Sequence, residues 1–258
     1  MNGPRMNRRR AAALFATAGA AALTGCDKIT DDDKVTRAVG TAEVLTRTTQ
    51  RLILSPGQLA PEYPETAISK WFKPNGSTDP DSDDYVEHRD AGFKNWKLEV
   101  TGLVEHPLSL SLDQLRALPS RTQITRHDCV EGWSCIGKWK GARLGDILTQ
   151  AKVKPEAKFI VFYCADTLGE AEDGSDDYYE SIGLADAFHA QTILAYDMND
   201  QPLAVPHGAP IRLRVERQLG YKQAKYIMKI EAVASLDRLH GGHGGYWEDR
   251  GYEWYGGI

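Results

Sequence analysis

Along the chain the apolar positions change period several times, and each period predicts an element. Residues 97–103 alternate polar and apolar side chains, Lys97-Leu98-Glu99-Val100-Thr101-Gly102-Leu103, which predicts a half-buried strand. Leu108-Ser109-Leu110 follows Pro107 and predicts a second strand. Ser111 stands where it can cap a short helix over residues 112–118, and Pro119 stops that helix. Residues 122–125 predict a short strand that delivers residues 126–129 to its end. Over residues 144–151, Leu144, Ile147 and Leu148 fall on one helical face. The apolar run 159–163 predicts a buried strand running into Cys164, and residues 184–190 another short helix. Residues 193–196, 211–217 and 226–233 read as three more strands, with Asn199-Asp200 as a hairpin turn. There is no internal repeat. Short helices among many strands predict an α+β fold, mainly β.

The flanks break this pattern. Residues 1–25 join a basic start (Arg5, Arg8, Arg9, Arg10) to an Ala-rich apolar run, the n-region and h-region of a signal peptide. The run is shorter than the ~20 residues a bilayer span needs. Its arginines suit a twin-arginine route, and Leu23-Thr24-Gly25-Cys26 resembles a lipobox that leaves a lipid on Cys26. Residues 26–54 are polar and aperiodic, a flexible tether. The folded domain is expected over residues 55–240. Its opening stretch, 55–92, is rich in Pro, Gly, Asp and Ser and reads as irregular. Residues 241–258 form a Gly- and aromatic-rich tail, expected to pack on the domain or line a cleft.

Composition narrows the classes. Of the 258 residues, 41% are hydrophobic and 26% charged, enough for a substantial core. The formal charge is -5, and losing residues 1–25 removes four arginines and no acid, giving -9. That argues against a nucleic-acid surface. Beyond Cys26 three cysteines remain, Cys129, Cys135 and Cys164, so an exported chain keeps at least one thiol unpaired.

Cys129 is the most informative of these. It sits in Arg126-His127-Asp128-Cys129-Val130-Glu131-Gly132-Trp133-Ser134. Neighbouring Arg126 and His127 make an electropositive setting that favours thiolate, which is both nucleophile and soft-metal ligand. In an extended segment His127 shares a face with Cys129 and is placed to act as its base. A disulfide to Cys135 would close a tight loop. A buried structural thiol is the plainest reading. The lack of a C-x-x-C and the scattered histidines speak against zinc. Chemistry alone leaves thiol enzyme, metal ligand and core residue open.

With Trp139-x-Gly141-x-x-Leu144-x-Asp146-x-Leu148 after it, this segment resembles the sulfite oxidase superfamily of molybdopterin enzymes. It is most similar to the bacterial branch that includes the catalytic subunit of the periplasmic methionine sulfoxide reductase. His207-Gly208-Ala209-Pro210-Ile211-Arg212 resembles the family's N-G-A-P-x-R, and Gly220-Tyr221-Lys222-Gln223-Ala224-Lys225 its G-[FY]-K-x-x-K. Phe72-Lys73-Pro74-Asn75-Gly76 sits where the family places an Asn loop over its cofactor. The likeness spans roughly residues 65–235. It implies a sulfite oxidase-type molybdopterin-binding fold in a single domain, without the Ig-like dimerisation domain. It also implies a molybdenum–molybdopterin cofactor, with the Cys129 thiolate on the metal. Asn75, Cys164, His207, Arg212, Gln223, Ala224 and Lys225 are the implied cofactor contacts. Arg214 and Arg217 are expected as surface charges and Cys135 as a core thiol.

On the substrate side, Tyr178 resembles the family's Tyr-x-x-Ser-Ile tyrosine, whose phenol can donate to a metal-bound oxygen. His127 is a candidate proton donor; the blander reading is a strand-end histidine satisfied by a carbonyl. Sulfite oxidases carry an arginine pair where Trp133 and Ser134 stand here, so a site for the sulfite anion is missing. A neutral S-oxide or N-oxide is the expected small-molecule substrate, reduced by oxygen-atom transfer. Electrons are expected from a separate partner, such as a membrane cytochrome. The enzyme is expected to be periplasmic, held at the membrane only by a lipid on Cys26, and monomeric. Sulfite-oxidase-like oxidation, a cofactor-independent Cys129–His127 thiol enzyme and a non-catalytic binding protein are the alternatives.

Overall fold

Two five-stranded sheets organise the chain in the computed structural model, which describes residues 57–169 and 176–258. The segments expected as signal peptide and tether, Cys26 included, lie outside the described residues. Among the described residues no helix is long and apolar enough to cross a membrane.

The first helix, α1 (Asp83–Asp90), is followed by β1 (Lys97–Gly102), β2 (Leu108–Ser111) and α2 (Leu112–Ala117). The long hairpin β3 (Ser120–Asp128) and β4 (Ser134–Arg143) leads into α3 (Leu144–Ala151). Then come β5 (Phe159–Thr167), β6 (Asp177–Gly183), α4 (Leu184–Ala187), β7 (Ile193–Met198), β8 (Gln201–Pro202), β9 (Arg212–Arg214) and β10 (Ile227–Val233). One sheet runs β2-β1-β10-β5-β6, with β1 and β10 parallel and the other pairs antiparallel. The other runs β3-β4-β7-β8, with β9 also paired to β7. The core lies around the first sheet: Leu98 and Val100 of β1, Ile160 and Phe162 of β5 and Ile230 of β10 are all fully buried against Leu144, Ile147 and Leu148 of α3. At ~1.5–3 kcal/mol per fully buried aliphatic side chain, this cluster is the main driving force for folding.

Local chemistry explains several boundaries. Ser111 caps α2 in a capping box, its hydroxyl accepting from the Gln114 N–H while the Gln114 side chain accepts from the Ser111 N–H. Asn199 and Asp200, both at positive φ (51° and 63°), make the tight turn between β7 and β8.

Three of the longer elements were not among those expected, and the helix expected over 184–190 and the strand expected over 211–217 are shorter, 184–187 and 212–214. Residues 55–92 are not wholly irregular, because α1 forms there with Tyr85 as its single buried residue. A helix that buries one side chain shows no apolar stripe. The strand β4 was not expected from periodicity. Its inward positions Cys135, Gly137, Trp139 and Gly141 include two glycines, which erase the hydrophobic alternation. The strand β6 is buried on both faces from Tyr178 to Gly183, so it too lacks alternation.

The C-terminal residues explain that double burial. Tyr246 N–H donates to the Tyr179 carbonyl (3.0 Å), and the Trp254 indole to Ser181 Oγ (2.8 Å). Glu248 is buried against Lys222. Residues 244–256 therefore lie along the outer face of β6 and continue to the Gly220–Lys222 turn, where Leu219 N–H meets the Gly256 carbonyl at 2.7 Å.

Candidate active site

Cys129 occupies the start of the β3–β4 hairpin loop. Its N–H donates to the Trp133 carbonyl and its own carbonyl accepts from the Gly132 N–H, both at 3.0 Å. Gly132 has φ +84°, so Val130-Glu131-Gly132 is a three-residue loop closed by a left-handed glycine. The loop is also latched by side chains. Arg126 pairs with Asp128 (2.9 Å), Ser134 Oγ donates to Asp128 (2.5 Å), and the Trp133 indole donates to Glu131 (2.9 Å).

The thiol opens on a cavity of about 150 Å³. Asn75, Cys129, Tyr178, Gln223 and Lys225 line it, so five of the expected site residues share one space. The remaining ones, His127, Cys164, His207, Arg212 and Ala224, are not part of that lining. His207 and Arg212 lie next to it: Arg212 Nη1 donates to the His207 carbonyl (3.1 Å) and Nη2 to the Gln223 carbonyl (3.4 Å). Ala224 is buried, its carbonyl taken by the Leu213 N–H (2.8 Å). Cys164 is largely buried on β5, its thiol pushed well up by desolvation and then by Asp166.

The environment of Cys129 differs from the electropositive setting expected. Desolvation is the largest influence and raises the thiol; the Glu131 backbone N–H opposes it, the Glu131 charge raises the thiol further, and Lys73 lowers it only in part. Arg126 does not help because Asp128 engages it. His127 is fully buried, and its Nδ1 lies 3.0 Å from Arg214 Nη1. A guanidinium can only donate, so Nδ1 is the acceptor and the ring proton sits on Nε2. Burial, then Arg214 and Arg212, hold this imidazole well below its ordinary range and therefore neutral. It is a fixed donor behind the cavity and not a base facing the thiol.

Arg214 is likewise no surface charge. It is completely buried, paired with Glu216 at 2.6 Å and stacked over Trp139 at 4.4 Å. Arg217 is paired with Asp186 at 2.9 Å. Tyr178 lines the cavity and donates its hydroxyl to the Tyr221 carbonyl at 2.6 Å. Its phenol is pushed well up, by burial and then Glu180, so it stays protonated. Cys129, Cys135 and Cys164 are free thiols.

Sequence reading missed four participants. Asp166, held by Ser77 Oγ at 2.6 Å, lines the cavity from β5, and Glu131 lines it from the hairpin loop. Trp247 and Tyr252 of the C-terminal tail complete the wall. The density of aromatics in that tail was the one available signal for the last two.

The implied pterin carries a phosphate dianion, and the buried polar atoms suit it. Arg212 is fully buried, has no carboxylate partner, and its Nε is without any hydrogen bond. Burial and Arg214 lower it to about 9. Lys225 is lowered to about 7, chiefly by burial and then Arg212, and His207 to about 4 by burial, Arg212 and Lys225. Asn75 Oδ1, His207 Nδ1 and Gln223 Oε1 are buried without partners. Such a set of uncompensated cations and orphaned polar atoms is what a buried anion with a polar ring system would satisfy. At Gly220 the backbone approaches so closely that a Cβ would lie 2.6 Å from His127 Nε2, which keeps a side chain out of this cradle. Among the described residues no group of three His, Cys, Asp or Glu gathers for a metal. The residues fit the group: Cys129 would hold the metal, Arg212 and Lys225 the negative charge, and Asn75, His207 and Gln223 the polar edges.

Comparison with known proteins agrees with this fit. Residues 85–238 match the oxidoreductase molybdopterin binding domain. The chain is 41% identical, over 93% of its length and 83% of the other's, to an Azospira oryzae protein assigned as protein-methionine-sulfoxide reductase subunit YedZ1. It is 35% identical to the protein-methionine-sulfoxide reductase catalytic subunit MsrP of Campylobacter jejuni, over 54% of this chain and 49% of that one. It is also 33% identical to the uncharacterized oxidoreductase YuiH of Bacillus subtilis, over 62% and 74% of the two chains. The chain spans about half the length of the Campylobacter relative. It belongs to the oxidoreductase molybdopterin-binding family, the sulfite oxidase family, and is an oxidoreductase.

Proposed function

We propose that this oxidoreductase is a molybdenum enzyme that reduces a neutral S-oxide, taking electrons from a separate partner. The observation that carries the reading is the buried, acid-free Arg212 beside Lys225, behind a cavity that ends on the Cys129 thiol. When bound, the molybdenum pterin supplies two-electron oxygen-atom transfer chemistry.

The chain's own groups hold and enclose that chemistry. Lys225 Nζ donates to the carbonyls of Asn75 (2.6 Å), Pro206 (3.2 Å) and Ser77, tying three segments around the cradle. Tyr178 fixes the Tyr221 carbonyl and forms part of the cavity wall. The substrate end favours a neutral molecule. Among the described residues Lys225 is the only cation in the lining, set against the carboxyl groups of Glu131 and Asp166. The positions an anion-binding arginine pair would take hold Trp133 and Ser134, both turned onto carboxylates. The two relatives named for protein-methionine-sulfoxide reduction support a methionine S-oxide. The segment 1–25 supports twin-arginine export to the periplasm, with a lipid on Cys26 keeping the enzyme beside a membrane electron donor.

The test is a dye-linked assay of protein matured in its own host. Methyl S-oxides are expected to oxidise reduced viologen, and sulfite, offered with ferricyanide as electron acceptor, is expected to be turned over at least about tenfold more slowly. Faster turnover of sulfite than of any S-oxide or N-oxide overturns the reading.

A further inference from the structure

The C-terminal tail supplies half of the cavity's aromatic wall, and neither the sulfite oxidase-type motifs nor the cofactor fit uses it. Trp247 and Tyr252 stack at 5.4 Å and 30°, and Tyr252 meets Tyr221 edge-on at 5.3 Å and 87°. Tyr246 packs beside Tyr178 at 5.8 Å. All but Tyr246 line the space that contains Cys129. The pair is held rigidly from below. Tyr252 N–H donates to the Trp247 carbonyl (3.0 Å), the Tyr221 hydroxyl to the Glu253 carbonyl (2.6 Å), and Glu248 sits 2.5 Å from Lys222. Yet Tyr252 is 40% exposed, so this ring stands at the mouth and not in the core.

We infer that Trp247 and Tyr252 are the specificity-determining wall that binds the methyl and methylene groups of a dialkyl S-oxide. This rests on the S-oxide reading above. The chemistry follows from the rings. Their faces carry negative quadrupole, which attracts the electropositive sulfur of an S-oxide and its polarised methyl hydrogens. The same faces, with Glu131 and Asp166 nearby, repel an anion such as sulfite. With its alkyl groups on the wall, the substrate's oxygen is left facing the Cys129 end.

Two measurements on the oxidised holoenzyme and its variants test this. The first needs no turnover: 19F NMR of 5-fluorotryptophan protein, with the Trp247 resonance assigned by its loss in Trp247→Phe. Titration with dimethyl sulfoxide and with N-acetyl-methionine S-oxide is expected to shift that resonance saturably, and sulfite is expected to leave it unmoved. The second is the split of kinetic constants. Tyr252→Leu is expected to raise KM for both S-oxides about tenfold with kcat changed less than about twofold, and Tyr252→Phe to keep KM near wild type. S-oxides reduced by wild type with no Trp247 shift and an unchanged KM in Tyr252→Leu overturn the wall while leaving the S-oxide reading intact. A saturable shift without any S-oxide reduction overturns that reading and supports the wall.

Discussion

Two buried cations, ten positions apart in the chain, have opposite surroundings. Lys222 and Arg212 are both fully buried. Lys222 lies 2.5 Å from each of two carboxylates, Glu180 and Glu248, one from β6 and one from the tail. Arg212 touches two backbone carbonyls and the face of Trp139 (5.1 Å), and the acid nearest to it in sequence, Glu216, is engaged by Arg214. The first site has two carboxylates for one cation, and the second has no carboxylate paired with its cation. The difference separates a cluster that ties down the tail from one that, in the proposed reading, receives an anion.

Removing Lys222 is expected to have the largest effect on folding. Lys222→Met leaves two carboxylates buried without a cation and should cost about 3–5 kcal/mol in chemical denaturation. Arg212→Met should behave differently. Relief of the Arg214 repulsion offsets the two lost carbonyl contacts, so the stability of cofactor-free protein should change within about 1 kcal/mol. Cofactor retention, read as molybdenum and phosphate after gel filtration, should fall at least about tenfold. Equal destabilisation by the two substitutions would erase the distinction.

A smaller effect sharpens it through pH. Burial and Arg212 hold Lys225 at about 7, below its unfolded value of 10.5. Between those values the folded chain binds fewer protons than the unfolded one, so Lys225 makes stability rise with pH there. Glu180 works in reverse. Burial, then Glu248, push it well above 4.5, so its contribution is fully present below that pH and is lost as pH rises through the raised value. Glu248→Gln removes the repulsion. Its Tm is expected to fall less than that of wild type between about pH 5 and about pH 8, measured by calorimetry on cofactor-free protein.

The same contrast governs what was legible in the sequence. Elements with a regular apolar face could be read directly: α2 with its Ser111 cap, and α3 with Leu144, Ile147 and Leu148. The strand β3 was read too short because its buried positions Gln123, Thr125 and His127 are polar. They face Arg214 and Glu216, which only tertiary structure brings across the sheet. Cys129, Tyr178, Gln223 and Lys225 belong to ordered motifs, and the fold gathers them with Asn75 around one cavity. Glu131, Asp166, Trp247 and Tyr252 carry no such pattern. Two of these enter through a tail whose path depends on a buried ion pair at Lys222, and no local periodicity encodes that.

Molybdenum content of protein matured in its own host, compared with Cys129→Ser under the same conditions, tests the central claim most directly. Stoichiometric molybdenum in wild type and its loss from a Cys129→Ser variant of unchanged Tm is the expected result. Well-folded, fully matured wild type without molybdenum, or a Cys129→Ser variant that keeps it, would contradict the assignment of Cys129 as the metal's protein ligand.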